Sequence, residues 1–289
     1  MTHPSAEVTV DVDLVRRLLL AQSPDFAHET LRFHDEGWDN FTFRLGERYA
    51  VRLPRRQLAV SLIGNEQRWL PDIASRLPIE IPVPVFAGRP SAEFVWPWSV
   101  VKWIPGDTAE ALAFDRANAS RLADVLIALH QSAPPEAPAN PFRGVALATR
   151  TESFEERLRM AEAEHRLDVA HMRTLWNDLV SVPPSRERRW LHGDLHPRNL
   201  VVRERRFVGV IDWGDVTAGD VATDLAAAWM LIDSDDVRRE FFARYGADAD
   251  LQKRARGWAL HLGVAFLISG EGRQTILGAE TIRRLLHAT

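Results

Sequence analysis

The stretch Trp190-Leu-His-Gly-Asp-Leu-His-Pro-Arg-Asn-Leu-Val-Val202, followed by Arg206-Phe-Val-Gly-Val-Ile-Asp-Trp-Gly214, concentrates side chains that handle protons and hard cations. Asp194 and Asn199 stand five residues apart before one apolar run, and Asp212 stands directly behind a second. A carboxylate and an amide oxygen suit Mg²⁺, which takes oxygen ligands and keeps part of its water shell until phosphate oxygens replace it. A second carboxylate can orient an attacking hydroxyl and accept its proton. These are the parts that phosphoryl transfer requires.

Such groups need elements to carry them. Leu200 to Val202 and Phe207 to Ile211 are β-rich runs separated by the charged segment Arg203 to Arg206, which predicts an antiparallel hairpin. The turn lacks Asn-Gly or Asp-Gly, so its type stays open. Closing the hairpin brings Asn199 and Asp212 to the same open end, with Asp194 in the preceding loop. Upstream, Ala50 to Pro54 reads as a strand containing Arg52. A helix over about 60 to 74 would place Leu62, Glu66, Leu70 and Ile73 on one face. A charge in that apolar stripe is costly unless paired, and Arg52 is the obvious partner for Glu66.

The order His192-Gly-Asp194, then Asn199, then Asp212-Trp-Gly214 follows the protein-kinase arrangement of base, metal-binding Asn and metal-binding Asp. With His-Gly-Asp-Leu-His-Pro-Arg-Asn (192–199), Ile-Asp-Trp (211–213) and Gly-Asp-Val-Ala-Thr-Asp-Leu-Ala (219–226), the chain resembles the aminoglycoside phosphotransferase family of small-molecule kinases. The resemblance implies an α+β, protein-kinase-like bilobal fold: an antiparallel-sheet N-lobe over 1–104 that binds nucleotide, and a mostly helical C-lobe over 105–289 with the hairpin and the acceptor site. It implies Asp194 as the catalytic aspartate and Asn199 and Asp212 as Mg²⁺ ligands. Arg52, anchored by Glu66, would steady the phosphates of ATP or GTP, and the backbone from Val101 through Trp103 to Ile104 would meet the base. By the same likeness Asp224 would be a buried acceptor for the catalytic loop, with Asp220 in the connecting loop; His192 reads as a buried support for that loop.

Some positions depart from the pattern. Trp213 stands where protein kinases have Phe, Val221 where the family has Pro, and Arg52 where protein kinases have Lys. Arginine supplies a planar fork in place of a point charge. Glu36 to Asn40, at the place of the kinase Gly-rich loop, contains a single glycine.

Composition bounds the alternatives. The chain has 289 residues, 46% hydrophobic and 26% charged, enough for two lobes. A formal charge of −4 argues against backbone-driven nucleic-acid binding. No window has the eighteen or so uncharged apolar residues of a membrane span. Without cysteine there are no disulfides and no thiolate nucleophile. Met1 to Val8 has neither a basic n-region nor an apolar h-region, so the expected location is cytoplasmic.

The remaining chain predicts helices over Asp11 to Ala21, Asp115 to His130, Leu225 to Ile232, Ser234 to Arg244, Asp250 to Ser269 and Ala279 to Leu286. His130 reads as a helix-end residue. Pro97 predicts an edge or irregular strand over Val95 to Trp103. The partners expected are a nucleoside triphosphate and a small hydroxylated molecule. An aminoglycoside needs converging carboxylates, for which Asp215, Asp233, Asp235, Asp236, Asp248 and Glu271 are available; a macrolide needs an apolar wall, for which Trp229, Trp258, Phe241, Phe242 and Phe266 are. A metabolite kinase of choline, homoserine, methylthio-sugar or fructosamine type, or a non-catalytic nucleotide-binding scaffold, would carry the same framework.

Overall fold

The computed structural model describes residues 5–165 and 168–287; residues 1–4 of the segment read above for leader features lie outside them. The chain forms two compact units, His3–Gly106 with Val208–Val216, and Asp107–Phe207 with Thr217–Thr289.

The first unit opens with α1 (Val12–Gln22), started by Asp11, whose carboxylate accepts from the Leu14 N–H at 2.7 Å. β1 (Leu31–Glu36), β2 (Asn40–Leu45), β3 (Tyr49–Pro54), β4 (Pro84–Gly88) and β5 (Trp98–Lys102) form an antiparallel sheet of order β1-β2-β3-β5-β4. Its core joins Leu14, Val15, Leu18 and Leu19 of α1 to Phe43, Leu45, Val51, Leu53, Trp98 and Val100. Of the expected edge or irregular strand, β5 is not an edge, because it begins one residue after Pro97 and the missing N–H never falls within the ladder, but its pairing with β4 is irregular, with a register shift between Pro84 and Phe86.

α2 (Val60–Ala74) buries Ile63, Glu66, Leu70 and Ile73. Ile63 takes the core place expected of Leu62, which instead lies against Gly214. The segment 208–216 is tied to this unit through Glu80, whose N–H donates to the Val208 carbonyl at 2.9 Å and whose carbonyl accepts from the Val210 N–H at 3.1 Å. Any Cβ on Gly209 would meet that Glu80 carbonyl at 2.9 Å, so the close pairing depends on glycine.

The second unit contains β6 (Asp107–Thr108), α3 (Arg116–Leu129), α4 (Thr151–His165), α5 (Val169–Leu179), β7 (Arg189–Leu191), β8 (Leu200–Arg203), β9 (Arg206–Val210, passing into the other unit after Phe207), β10 (Thr217–Gly219), α6 (Ala222–Leu225), α7 (Ala227–Leu231), α8 (Asp235–Tyr245), α9 (Ala249–Leu267) and α10 (Gly272–His287). α9 is its axis, packing against α10, α6, α4 and α5. Sequence periodicity overlooks α5, and it starts α10 seven residues late, at Ala279 rather than Gly272. The run expected as one helix over Leu225 to Ile232 is two short helices, α6 and α7. Short sheets, β10-β7 and β6-β8-β9, frame the segment from His192 to Asn199. The architecture is α+β and bilobal in the protein-kinase manner.

Candidate active site

In the first unit Arg52 and Glu66 face each other from β3 and α2. Nη1 of Arg52 donates to both carboxylate oxygens of Glu66 at 2.7 Å, and Nη2 donates to Oδ1 of Asp212 at 3.2 Å. Glu66 is only 1% exposed, so its charge depends on this fork. Burial opposes the guanidinium's charge, but Glu66 and Asp212 together hold its pKa above the ordinary value. Asp212 adopts φ of 60°, unusual for an L-residue, and Trp213 behind it is buried with Nε1 donating to the Val210 carbonyl at 3.0 Å. One carboxylate oxygen therefore meets arginine while the group remains 57% exposed.

Val101 sits inside β5, opposite Ala50 and Pro84, and is buried. The Trp103 N–H donates to the Arg48 carbonyl at 2.8 Å, and its ring is covered by the Arg44 guanidinium at 4.0 Å. The turn between β1 and β2 is held by Arg55, which donates to the Gly37 carbonyl at 2.9 Å, and by Arg56, which pairs with Asp39 at 2.6 Å.

In the second unit the loop from His192 to Asn199 hangs on Asp224. Its carboxylate accepts from the His192 N–H at 2.7 Å and the Gly193 N–H at 2.9 Å. Gly193 has φ of 91°, a conformation costly for other residues. His130, the C-cap of α3, adds Nε2 at 3.2 Å to the same carboxylate, while its Nδ1 meets the Tyr245 hydroxyl at 2.8 Å. Burial opposes the charge of Asp224, but the His130 hydrogen bond, the two histidines and the Gly193 N–H hold its pKa below the usual range. The α3 periodicity marks His130 as a helix end; its link to Asp224 spans distant chain segments and leaves no local signal.

Asp194 follows. Its N–H donates to Nδ1 of His192 at 3.2 Å, and its carboxylate lies 3.2 Å from Nε2 of His196 and 3.1 Å from Nη2 of Arg143. Burial would raise its pKa, yet His196, Arg143 and His192 outweigh burial and keep it ionised well below the carboxylate range. Asn199 donates Nδ2 to the Asp194 carbonyl at 2.9 Å, which commits the amide NH₂ and leaves Oδ1 as the oxygen suited to a hard cation. Asp220 accepts from Arg254 at 2.7 Å and caps the Ala222 N–H at 3.1 Å.

No local sequence signal marks Arg143. Asn140 Oδ1 accepts from the Phe142 and Arg143 N–H groups, and Gly144 next to it, with φ of 66°, is bonded to Thr223 at 3.1 Å and to the Asp220 N–H at 2.8 Å. The pinned turn delivers Arg143 to the carboxylate from fifty-one residues away.

Of the acids expected to greet a polycation, Asp233 pairs with Arg284, Asp235 with Arg238 and Asp236 with Arg239; Glu271 meets Arg198 at 2.8 Å, and Asp248 caps α9. Trp229, Trp258, Phe241 and Phe242 are core residues. Phe266 is half-buried and stands edge-on to His196 at 5.3 Å. Among the described residues no cluster of three or more His, Cys, Asp or Glu side chains is arranged to hold a metal, and no helix is long and apolar enough to cross a membrane.

The protein-kinase-like frame carries an Arg–Glu pair on its sheet unit and, in its helical unit, an aspartate held in a loop by histidine and arginine side chains. The chain belongs to the phosphotransferase enzyme family (APH), whose profile matches residues 30–258. Such an enzyme moves the γ-phosphoryl group of a nucleotide to a hydroxyl of a small molecule.

Similar solved structures include the GDP and kanamycin complex of APH(2")-IIia (21% identity, TM-score 0.67, covering 95% of this chain and 97% of that chain). The streptomycin-ATP-APH(2")-IIa ternary complex is another (21%, 0.60, 96% and 97%). The apoenzyme of macrolide 2'-phosphotransferase MphH from Brachybacterium faecium is a third (20%, 0.63, 94% and 97%). At these identities the likeness is one of fold. No curated protein matches the sequence.

Proposed function

We propose that this chain is a Mg²⁺-dependent kinase of a small hydroxylated molecule, using ATP or GTP in the cytoplasm. The observation that carries the reading is the partly buried, ionised carboxylate of Asp194, held by His192, His196 and Arg143. In this role Asp194 orients the acceptor hydroxyl and takes its proton as the phosphoryl group arrives. Asn199 and Asp212 supply an amide oxygen and a carboxylate for Mg²⁺, which would neutralise phosphate charge when bound. Arg52, tied to Glu66, steadies the phosphates, and the backbone of Val101 to Ile104 meets the base. His192, Asp220 and Asp224 are positioning residues.

The acceptors to be tested are aminoglycosides such as kanamycin, macrolides, and cellular metabolites carrying a hydroxyl. Replacing Asp194→Asn should leave Mg²⁺–nucleotide affinity within about threefold while lowering kcat at least roughly 10²-fold, the usual scale for a positioned base. Equal turnover by wild type and variant would remove Asp194 from the role.

A further inference from the structure

A positive cluster runs from Arg143, which touches Asp194, to the first turns of α4. Arg143 reaches the carboxylate from the turn after Pro141. Arg150 ends the 3₁₀ turn Leu147–Arg150, donating to the Pro141 carbonyl at 3.3 Å and to Ser153 Oγ at 3.2 Å, with its guanidinium 5.4 Å from the Phe142 ring. Arg157, two helical turns further along α4, has Nη1 at 3.1 Å from Nε2 of His261 on α9. An arginine can only donate, so His261 must accept there as a neutral ring and carry its proton on Nδ1.

Positive charge exceeds negative charge in the cluster. Several other arginines of low exposure meet carboxylates, as Arg52 meets Glu66, Arg254 meets Asp220, and Arg284 meets Asp233 and Glu280, although Arg256 and Arg16 donate to backbone carbonyls. Here a carbonyl, a hydroxyl and a neutral imidazole take that place, and among the described residues Asp194 alone forms an ion pair with one of the three guanidinium groups. Glu156, exposed on α4, offsets Arg157 in part. The mutual repulsion is visible: burial, then Arg143 and Arg150, depress the pKa of Arg157, and burial with all three arginines holds His261 far below its ordinary value. Among the described residues, the Nε donors of Arg143 and Arg150 and the Nδ1 of His261 are buried with no hydrogen-bond partner. Unused donors and surplus positive charge at one place are what an oxyanion would complete.

The location assigns the ligand. A hydroxyl whose proton passes to Asp194 must come within hydrogen-bond reach of that carboxylate, and Arg143 already touches it. From this we infer, on the kinase reading above, that Arg143, Arg150 and Arg157 form an anion subsite for the acceptor. The acceptor is then a hydroxy compound bearing an oxyanion, either a carboxylate or a phosphate ester, and not a polyamine. The anionic group draws Arg143 from Asp194 and leaves the carboxylate open to the hydroxyl.

The test pairs turnover with binding. Initial rates with Mg²⁺–ATP are compared across hydroxy acids, sugar phosphates, neutral polyols, macrolides and kanamycin, at low and at about 0.5 M salt. Turnover should be confined to the first two groups, with an acceptor KM that rises with salt; which of them is used separates carboxylate from phosphate. Arg150→Gln and Arg157→Gln should each raise that KM roughly tenfold, the scale of a lost charge-assisted hydrogen bond, without altering the nucleotide KM, and Arg157→Lys should restore part of the loss.

Calorimetry with malate and glycerol 3-phosphate, nucleotide absent, reads the site without chemistry, and melting curves check that the variants fold. Binding lost in both Gln variants with no turnover of any compound would sink the kinase reading and keep the anion site. Turnover of kanamycin, of a macrolide or of a neutral polyol in preference to anions would overturn the anion subsite and keep the kinase. A rise in nucleotide KM instead would overturn the assignment by moving the arginines to the donor phosphates.

Discussion

Asp194 owes its ionised state to a contest that burial alone would lose. Desolvation favours the neutral acid, while His196, Arg143 and His192 favour the carboxylate and prevail. Its depressed pKa means the base is in the active form at all pH values above the ordinary carboxylate range, and is lost only as pH falls below that range. His196 supplies the largest opposing contribution. His196→Gln should therefore move the acid limb of kcat/KM to higher pH, towards the ordinary carboxylate pKa of about 3.9 or above it. A limb that stays in place would show that Arg143 and His192 suffice.

At the scale of elements, the hairpin and the β3–α2 pair carry the argument. β8 and β9 are joined through Glu204 (φ 50°) and Arg205 (φ 61°), two consecutive left-handed residues, which is the pattern a type I′ turn demands. Neither is Asn or Gly, so each costs about 1 kcal/mol. The double change Glu204→Asn with Arg205→Gly should raise Tm by several degrees without altering nucleotide KM. A fall in Tm would mean the long side chains hold the turn.

Across β3 and α2, Glu66→Ala should weaken nucleotide use though Glu66 touches no phosphate, because Arg52 loses its anchor. Arg52→Ala and Glu66→Ala together should cost less than the sum of the two. Strictly additive losses in a double-mutant cycle would break the proposed link. The hydrophobic pattern makes this pair legible, since an acid amid Ile63, Leu70 and Ile73 has to be neutralised. No comparable local cue marks the Asp212 oxygen that Arg52 also takes, 160 residues away.

For the whole molecule, Asp212 falls in the sheet unit, and Asp194 and Asn199 fall in the helical unit. If Asn199 and Asp212 hold Mg²⁺, their Ala variants should require more Mg²⁺ to reach half-maximal activity. The Asp212 change should be the more severe, because it removes a charge as well as a ligand. Metal titrations overlaying wild type for both variants would exclude that role.

The sequence by itself determined the elements and the inventory of chemistry. Strand alternation, helical periodicity and caps such as Asp11 and Asp115 are local and act within a few residues, and the spacing of Asp194, Asn199 and Asp212 lies within one stretch of chain. Boundaries shifted where a local rule met packing: Pro97 read as an edge signal but stands outside an interior strand. What only tertiary structure decided is which charges meet. Arg143 on Asp194, His130 and Tyr245 behind Asp224, and Arg157 on His261 join segments 51 to 115 residues apart. Whether an acid is spent on an internal arginine, as Asp233 and Glu271 are, or a guanidinium is left in surplus, depends on three-dimensional proximity. Coulomb energy depends on distance and local dielectric, and neither is encoded by position along the chain.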